Sequence, residues 1–222
     1  MEGRMNVMLQ KIKTRISSDE LKCPKCGQAH AWKKYVTINA LEKMDMKKKV
    51  LRNEIFQFTC EKCEFKAPLT YNSLYADPKK KLMIYLAPVM ETAVEDKLEE
   101  LNELQRGGVK RLVDNINDLK EKILIVDNHL DDRVIELLKI AYIGRIKKEM
   151  EGDTMQDILF DYSGGQLWFL LFFEKKGIGR MPLDLEHYRQ IERQYRMGIL
   201  DQSTDTFMKV DLEWAGKVMF RH

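Results

Sequence analysis

The chain has 222 residues, 44% of them hydrophobic, which is enough to bury one good-sized core or two small ones, and its net charge is +3. Its longest apolar run, Leu167–Phe173, falls well short of the roughly 20 residues that span a bilayer, and Met1-Glu2-Gly3-Arg4 lacks the apolar core of a signal peptide. A soluble, cytoplasmic protein with no membrane partner is therefore expected, and in a reducing compartment paired cysteines read as metal ligands or redox groups before disulfides.

The small net charge hides a division. Residues 1–90 hold 18 Lys and Arg against 9 Asp and Glu, whereas residues 91–222 hold 20 against 26. A basic part is joined to an acidic one. Such asymmetry fits attraction to nucleic acid, an ordinary solvated surface, or two parts that dock on each other.

In chain order, residues 1–19 read as a loose or short helical leader. Two Cys-x-x-Cys pairs follow, Cys23-Pro24-Lys25-Cys26 and Cys60-Glu61-Lys62-Cys63. Between them, Ala31–Asn39 and Glu54–Thr59 favour strands, and 40–52 favours a short helix. Phe65, Ala67, Leu69 and Tyr71 alternate at strand period, and Leu82–Leu86 is an apolar strand closed by Pro88, with the Asp77-Pro78 turn before it. After Pro88 the period becomes helical. Val94, Leu98 and Leu101 stripe one helix, stopped by Gly107-Gly108. Leu112, Ile116, Leu119, Ile123 and Val126 form the seam of a second. Asp131 caps a third. Ile158–Tyr162 and Gln166–Phe173 then flank a Gly164-Gly165 hairpin turn, a helix follows Pro182 and Asp184 and can end at Gly198, and Phe207–Trp214 reads as a closing strand. The expected fold class is α+β: a zinc-ribbon-like antiparallel β module at 20–90, then a helical region with a β-hairpin at 91–222.

Two Cys-x-x-Cys hairpins present four sulfurs with little freedom left to lose, a donor set suited to one tetrahedral zinc held by Cys23, Cys26, Cys60 and Cys63. The long interval between the pairs is tolerable, because loop-closure entropy grows only logarithmically with length. Three rivals stand beside structural zinc. A redox dithiol needs its Cys-x-x-Cys at the start of a helix in a βαβ unit, a setting that neither pair has. His30, four residues past Cys26, is a possible substitute ligand, although four thiolates already complete a site. A catalytic zinc needs an open position beside a general acid or base, and the His-x-Glu of the nucleobase deaminases is absent from the chain.

The stretch Cys23-Pro24-Lys25-Cys26-Gly27, the Phe56-Gln57-Phe58-Thr59 approach to the second pair, the run Tyr75-Ala76-Asp77-Pro78-Lys79-Lys80-Lys81-Leu82-Met83-Ile84-Tyr85-Leu86-Ala87-Pro88, and the segments Arg111-Leu112-Val113 and Asp131–Glu136 resemble the CpXC family. The resemblance covers about residues 20–145. It implies a prokaryotic protein with a zinc-ribbon core, and Cys23, Cys26, Cys60 and Cys63 match the family's cysteines. One departure is Glu64, which stands where the first hairpin has Gly27; a left-handed turn is strained with Glu, so an irregular second hairpin is expected.

The cluster Asp127, Asn128, His129, Asp131 and Asp132 can hold a cation or an acid–base pair, or can merely end one helix and cap the next. The runs Lys47–Lys49 and Lys79–Lys81 can meet phosphates, or form solvated faces. Trp32, Tyr35, Tyr71 and Tyr75 can stack on bases, or belong to the core. No phosphate loop, nucleophile elbow or zincin motif occurs. A zinc-dependent binding or scaffold module is thus the first reading, its partner a protein or a second copy. Nucleic-acid binding through the basic part comes next, and an enzyme with a site invisible in sequence comes third.

Overall fold

The computed structural model describes residues 12–42, 45–104, 107–149, 152–200 and 205–220. The fold is α+β. Two compact units divide it, residues 1–120 with 204–208 and residues 121–203 with 209–222.

In the first unit a five-stranded sheet has the order β1 (Arg15–Lys22), β2 (Ala29–Asn39), β5 (Ser73–Asp77), β6 (Leu82–Leu86) and β7 (Val109–Val113). The sheet is mixed: β1–β2 and β5–β6 are antiparallel, β2–β5 and β6–β7 parallel. A separate antiparallel pair is formed by β3 (Gln57–Thr59) and β4 (Lys66–Pro68). Short helix α1 (Met46–Leu51) and a 3-10 turn (Glu54–Phe56) lead into it, and α2 (Thr92–Leu104) follows β6. Strands β5 and β6 are buried along their whole length; β6 accordingly reads as an apolar run, whereas β5, which begins at Ser73 and ends at Asp77, does not. Leu74, Ala76, Met83 and Tyr85 of these strands meet Val94, Leu98 and Leu101 of α2 in one core.

Two sequence expectations change in this unit. Arg15–Asp19, expected in the leader, belong to β1; that strand lies at the sheet edge and is almost wholly exposed, so it carries no apolar alternation to betray it. Residues 1–11 of the leader lie outside the described residues. Leu112 leaves the helical seam for β7, where it pairs with Tyr85, because α3 (Ile116–Asp127) starts only where Asn115 Oδ1 accepts from the Asp118 amide at 2.9 Å. Of the remaining seam, Leu119 and Ile123 are buried and Ile116 and Val126 half-buried.

Helix α3 runs across the division between the units. The second unit adds α4 (Asp132–Glu149), the meander β8 (Met155–Ser163), β9 (Gln166–Phe173) and β10 (Gly177–Pro182), then α5 (Leu185–Leu200) and α6 (Leu212–Met219). Its core gathers Val134, Leu137 and Leu138 of α4 with Phe160, Phe169 and Leu171 of the meander and Tyr188 of α5. The hairpin expected at Gly164-Gly165 is present as β8–β9. The third strand, β10, is not among the expected elements; its proline and glycines are tolerated because it is an edge strand. Helix α5 passes through Gly198 and ends later, and a Cβ there would stand 3.3 Å from Val218 of α6, so the glycine allows close helix contact instead of terminating the helix. The closing strand expected at Phe207–Trp214 is replaced by a single bridge at Met208 and by α6, whose Asp211 cap accepts from the Trp214 amide at 2.8 Å.

Candidate metal centre

Each cysteine pair sits in the turn of an antiparallel hairpin, the first between β1 and β2 and the second between β3 and β4. The two turns are built alike. In the first, the Cys23 amide donates to the Gln28 carbonyl at 2.9 Å and the Gly27 amide to the Cys23 carbonyl at 2.9 Å. In the second, the Cys60 amide donates to Phe65 at 2.8 Å and the Glu64 amide to Cys60 at 2.9 Å. The irregularity expected from Glu64 does not occur, because Glu64 takes the left-handed backbone (φ 57°) that Gly27 takes (φ 71°).

The hairpins bring all four sulfurs together. Cys23 Sγ lies 3.6 Å from Cys63 Sγ and Cys26 Sγ lies 3.6 Å from Cys60 Sγ, and the four ligand atoms all fall within 4.8 Å of one another. The cysteines are free thiols. A tetrahedral ion with bonds to sulfur of about 2.3 Å has sulfur–sulfur edges of about 3.8 Å, so the cluster matches in donor type, number and spacing what such an ion requires. Cys23 and Cys60 are buried, Cys26 and Cys63 half-buried, and Phe58, Leu21, Phe65 and Leu69 pack around them.

Four thiols this close cannot all ionise without a cation. Burial disfavours the Cys23 thiolate, but the amides of Cys26 and Lys25 and the thiols of Cys63 and Cys60 outweigh it and bring that group down to about 7. The Phe65 amide favours the Cys63 thiolate, yet burial and the other three sulfurs prevail and push that thiol up to about 12. A bound cation removes this conflict by taking the place of the shared protons.

His30 is the neighbour that sequence reasoning set aside. Its Nε2 lies 3.1 Å from Cys60 Sγ, and its ring meets Phe58 edge-on with centroids 5.7 Å apart. The only sequence signal was its short spacing from Cys26. Beside it, a cleft of about 380 Å³ is lined by Trp32, Lys33, Tyr35, Gln57 and Phe58.

The Asp127–Asp132 junction is occupied by helix caps. The Leu130 amide donates to the Ile125 carbonyl and the His129 amide to Val126, each at 3.1 Å, with His129 left-handed (φ 59°), the pattern that ends many helices. Asp131 then accepts from the Arg133 amide at 2.9 Å and pairs with its guanidinium at 2.6 Å. Asp132 points elsewhere, into a buried cluster that the sequence did not announce. There Lys122 Nζ meets Glu136 at 2.8 Å and Asp132 at 3.5 Å, while Lys139 Nζ meets Glu121 at 2.7 Å and Glu136 at 3.0 Å. The Phe160 amide also donates to Glu121. Trp32, Tyr71 and Tyr75 serve packing: Tyr71 and Tyr75 are buried, and Trp32 meets Tyr71 edge-on at 5.0 Å.

Paired cysteine hairpins closing on one four-thiol cluster, within an α+β fold, define a protein whose site is of metal-binding type. The chain belongs to the CpXC family: the family model, described as CpXC protein, matches residues 21–139, just over half of its length. No curated protein and no solved structure matches it. Among the described residues no helix is long and apolar enough to cross a membrane.

Proposed function

We propose that Cys23, Cys26, Cys60 and Cys63 hold one zinc ion as a structural clamp, and that the zinc-ribbon-like part within residues 20–90 makes the protein a binding or scaffold module. The convergence of four sulfurs within 4.8 Å carries this reading. All four corners of a tetrahedron come from protein thiols, which suits a closed structural site better than a catalytic one with an open corner. The need for a clamp is physical. Strands β3 and β4 have three residues each and, among the described residues, pair only with one another, and an isolated two-stranded hairpin is marginal in water. A cytoplasmic location fits, because it keeps the thiols reduced.

Cys60→Ser tests the clamp. It should release the metal and lower the melting temperature of the first unit, as a chelator should in the unaltered protein. A variant that keeps both its zinc and its melting temperature would contradict the proposal.

Nucleic-acid binding is the second reading, and one observation favours it. Lys47 Nζ pairs with Asp77 Oδ2 at 3.0 Å, while Asp77 Oδ1 accepts from the Lys79 and Lys80 amides at 3.1 and 3.3 Å, so a single buried carboxylate ties together the segments bearing Lys47–Lys49 and Lys79–Lys81. Fluorescent single- and double-stranded DNA and RNA, titrated at two salt concentrations, should then bind more weakly at high salt, because the phosphate counterions that binding releases gain less entropy in concentrated salt. Changing the six lysines to glutamine should abolish that binding. Salt-independent binding, or binding unaffected by the six changes, would remove this reading.

A further inference from the structure

His30 links the two cysteine hairpins through one pair of atoms. It stands on β2 opposite Leu21, two residues beyond Gln28, whose carbonyl closes the first cysteine turn. Its Nε2, however, lies 3.1 Å from Sγ of Cys60, a residue of the second hairpin. Cys60 is wholly buried, so bulk water does not supply hydrogen bonds to its sulfur. Its amide is committed to the Phe65 carbonyl within its own turn. A metal ion of charge +2 held by four thiolates leaves two surplus negative charges in a partly desolvated site. Donors aimed at the sulfurs offset that charge and orient the ligand.

We propose that His30 is a positioning residue of the metal centre, donating its Nε2–H to the Cys60 thiolate and so locking the second hairpin's buried ligand in place from the first hairpin. The inference rests on the zinc reading above. His30 is not a fifth ligand, since four sulfurs fill a tetrahedron. Nor is ring packing its main task, although the ring also touches Phe58 edge-on at an interplanar angle of 68°.

Two variants separate donor from ring. His30→Phe keeps an aromatic ring against Phe58 and removes the donor; His30→Gln removes the ring and offers an amide N–H of similar reach. Zinc release from the full chain into a chromogenic chelator is measured for both and for the unaltered protein. The same three proteins, loaded with Co²⁺, are examined for the sulfur-to-cobalt charge-transfer band, which reports on folded, metal-loaded protein. Loss of a hydrogen bond raises the energy of the sulfur lone pairs, so the band of His30→Phe should move to lower energy. Its zinc release should also be about 10–100-fold faster, while His30→Gln stays near the unaltered protein in both measurements. Equal rates and spectra in all three proteins, or impairment of His30→Gln alone or of both variants equally, would overturn the role given to His30. Unaltered protein showing no charge-transfer band and no bound zinc would instead defeat the zinc reading, and this inference with it.

Discussion

Gly27 and Glu64 occupy the same place in the two cysteine turns, each four residues after the first cysteine of its pair and each left-handed, with φ of 71° and 57°. Only glycine adopts this backbone without steric cost. A side chain there costs about 1–2 kcal/mol. The second turn thus carries strain that the first does not, and it is held by the same two backbone hydrogen bonds.

Glu64→Gly should therefore stabilise the metal-loaded protein by about 1 kcal/mol, and Gly27→Ala should destabilise it by a similar amount. A Cβ at Gly27 would meet nothing within 4 Å, so the second effect isolates backbone strain from crowding. Denaturant titration with zinc present reads both changes. An unaltered midpoint for Glu64→Gly would show that the turn is not strained.

Leu119 tests the surviving part of the helical seam. It is 1% exposed in α3, and truncating a buried leucine costs about 2–5 kcal/mol through lost burial and a residual cavity. Leu119→Ala should lose stability in that range by chemical denaturation, whereas a change below about 1 kcal/mol would place the side chain nearer to solvent.

The buried ion cluster makes stability depend on pH. Burial, reinforced by Glu136 and opposed by Lys139 and Lys122, raises the Glu121 carboxyl from 4.5 to about 7. A raised carboxyl favours the folded state while protonated. Its contribution is complete below about pH 4.5 and is lost as pH rises through about 7. Glu121→Gln, which resembles the protonated acid, should flatten the fall in melting temperature between pH 5 and pH 8; an identical slope in the variant would contradict this.

Lys139 serves both Glu121 and Glu136 in the same cluster. Lys139→Met removes one partner and leaves uncompensated buried charge, so it should cost about 3–5 kcal/mol. Equilibrium unfolding of the variant checks it, and near-neutral stability would mean that water or a proton compensates the loss.

What the sequence disclosed depended on how local its determinants were. The cysteine hairpins were legible because each is built within a few residues, and β6 because burial on both faces leaves an apolar run; β5, equally buried, was not, since Ser73 and Asp77 leave only three apolar residues between them. Edge strands β1 and β10 were not, since β1 exposes nearly all its residues and β10 includes Pro182; pairing alone defines them. The ends of the seam and of the chain were decided by Asn115 and Asp211, caps that override strand or helix period. His30 was visible as a spacing but not as a contact with Cys60, because that contact is made between hairpins separated by 30 positions. The ion cluster was illegible for a related reason: Glu121 and Lys122 look like an ordinary solvated pair until α4 and β8 bury them.

The central claim is one zinc held by four thiolates, and X-ray absorption at the zinc edge, with metal analysis of the same purified sample, tests it most directly. The account predicts one zinc per chain surrounded by four sulfurs at about 2.3 Å, with no nitrogen or oxygen neighbour in the first coordination sphere. Zinc-free protein with folded hairpins, or a coordination sphere in which nitrogen or oxygen replaces sulfur, would contradict it.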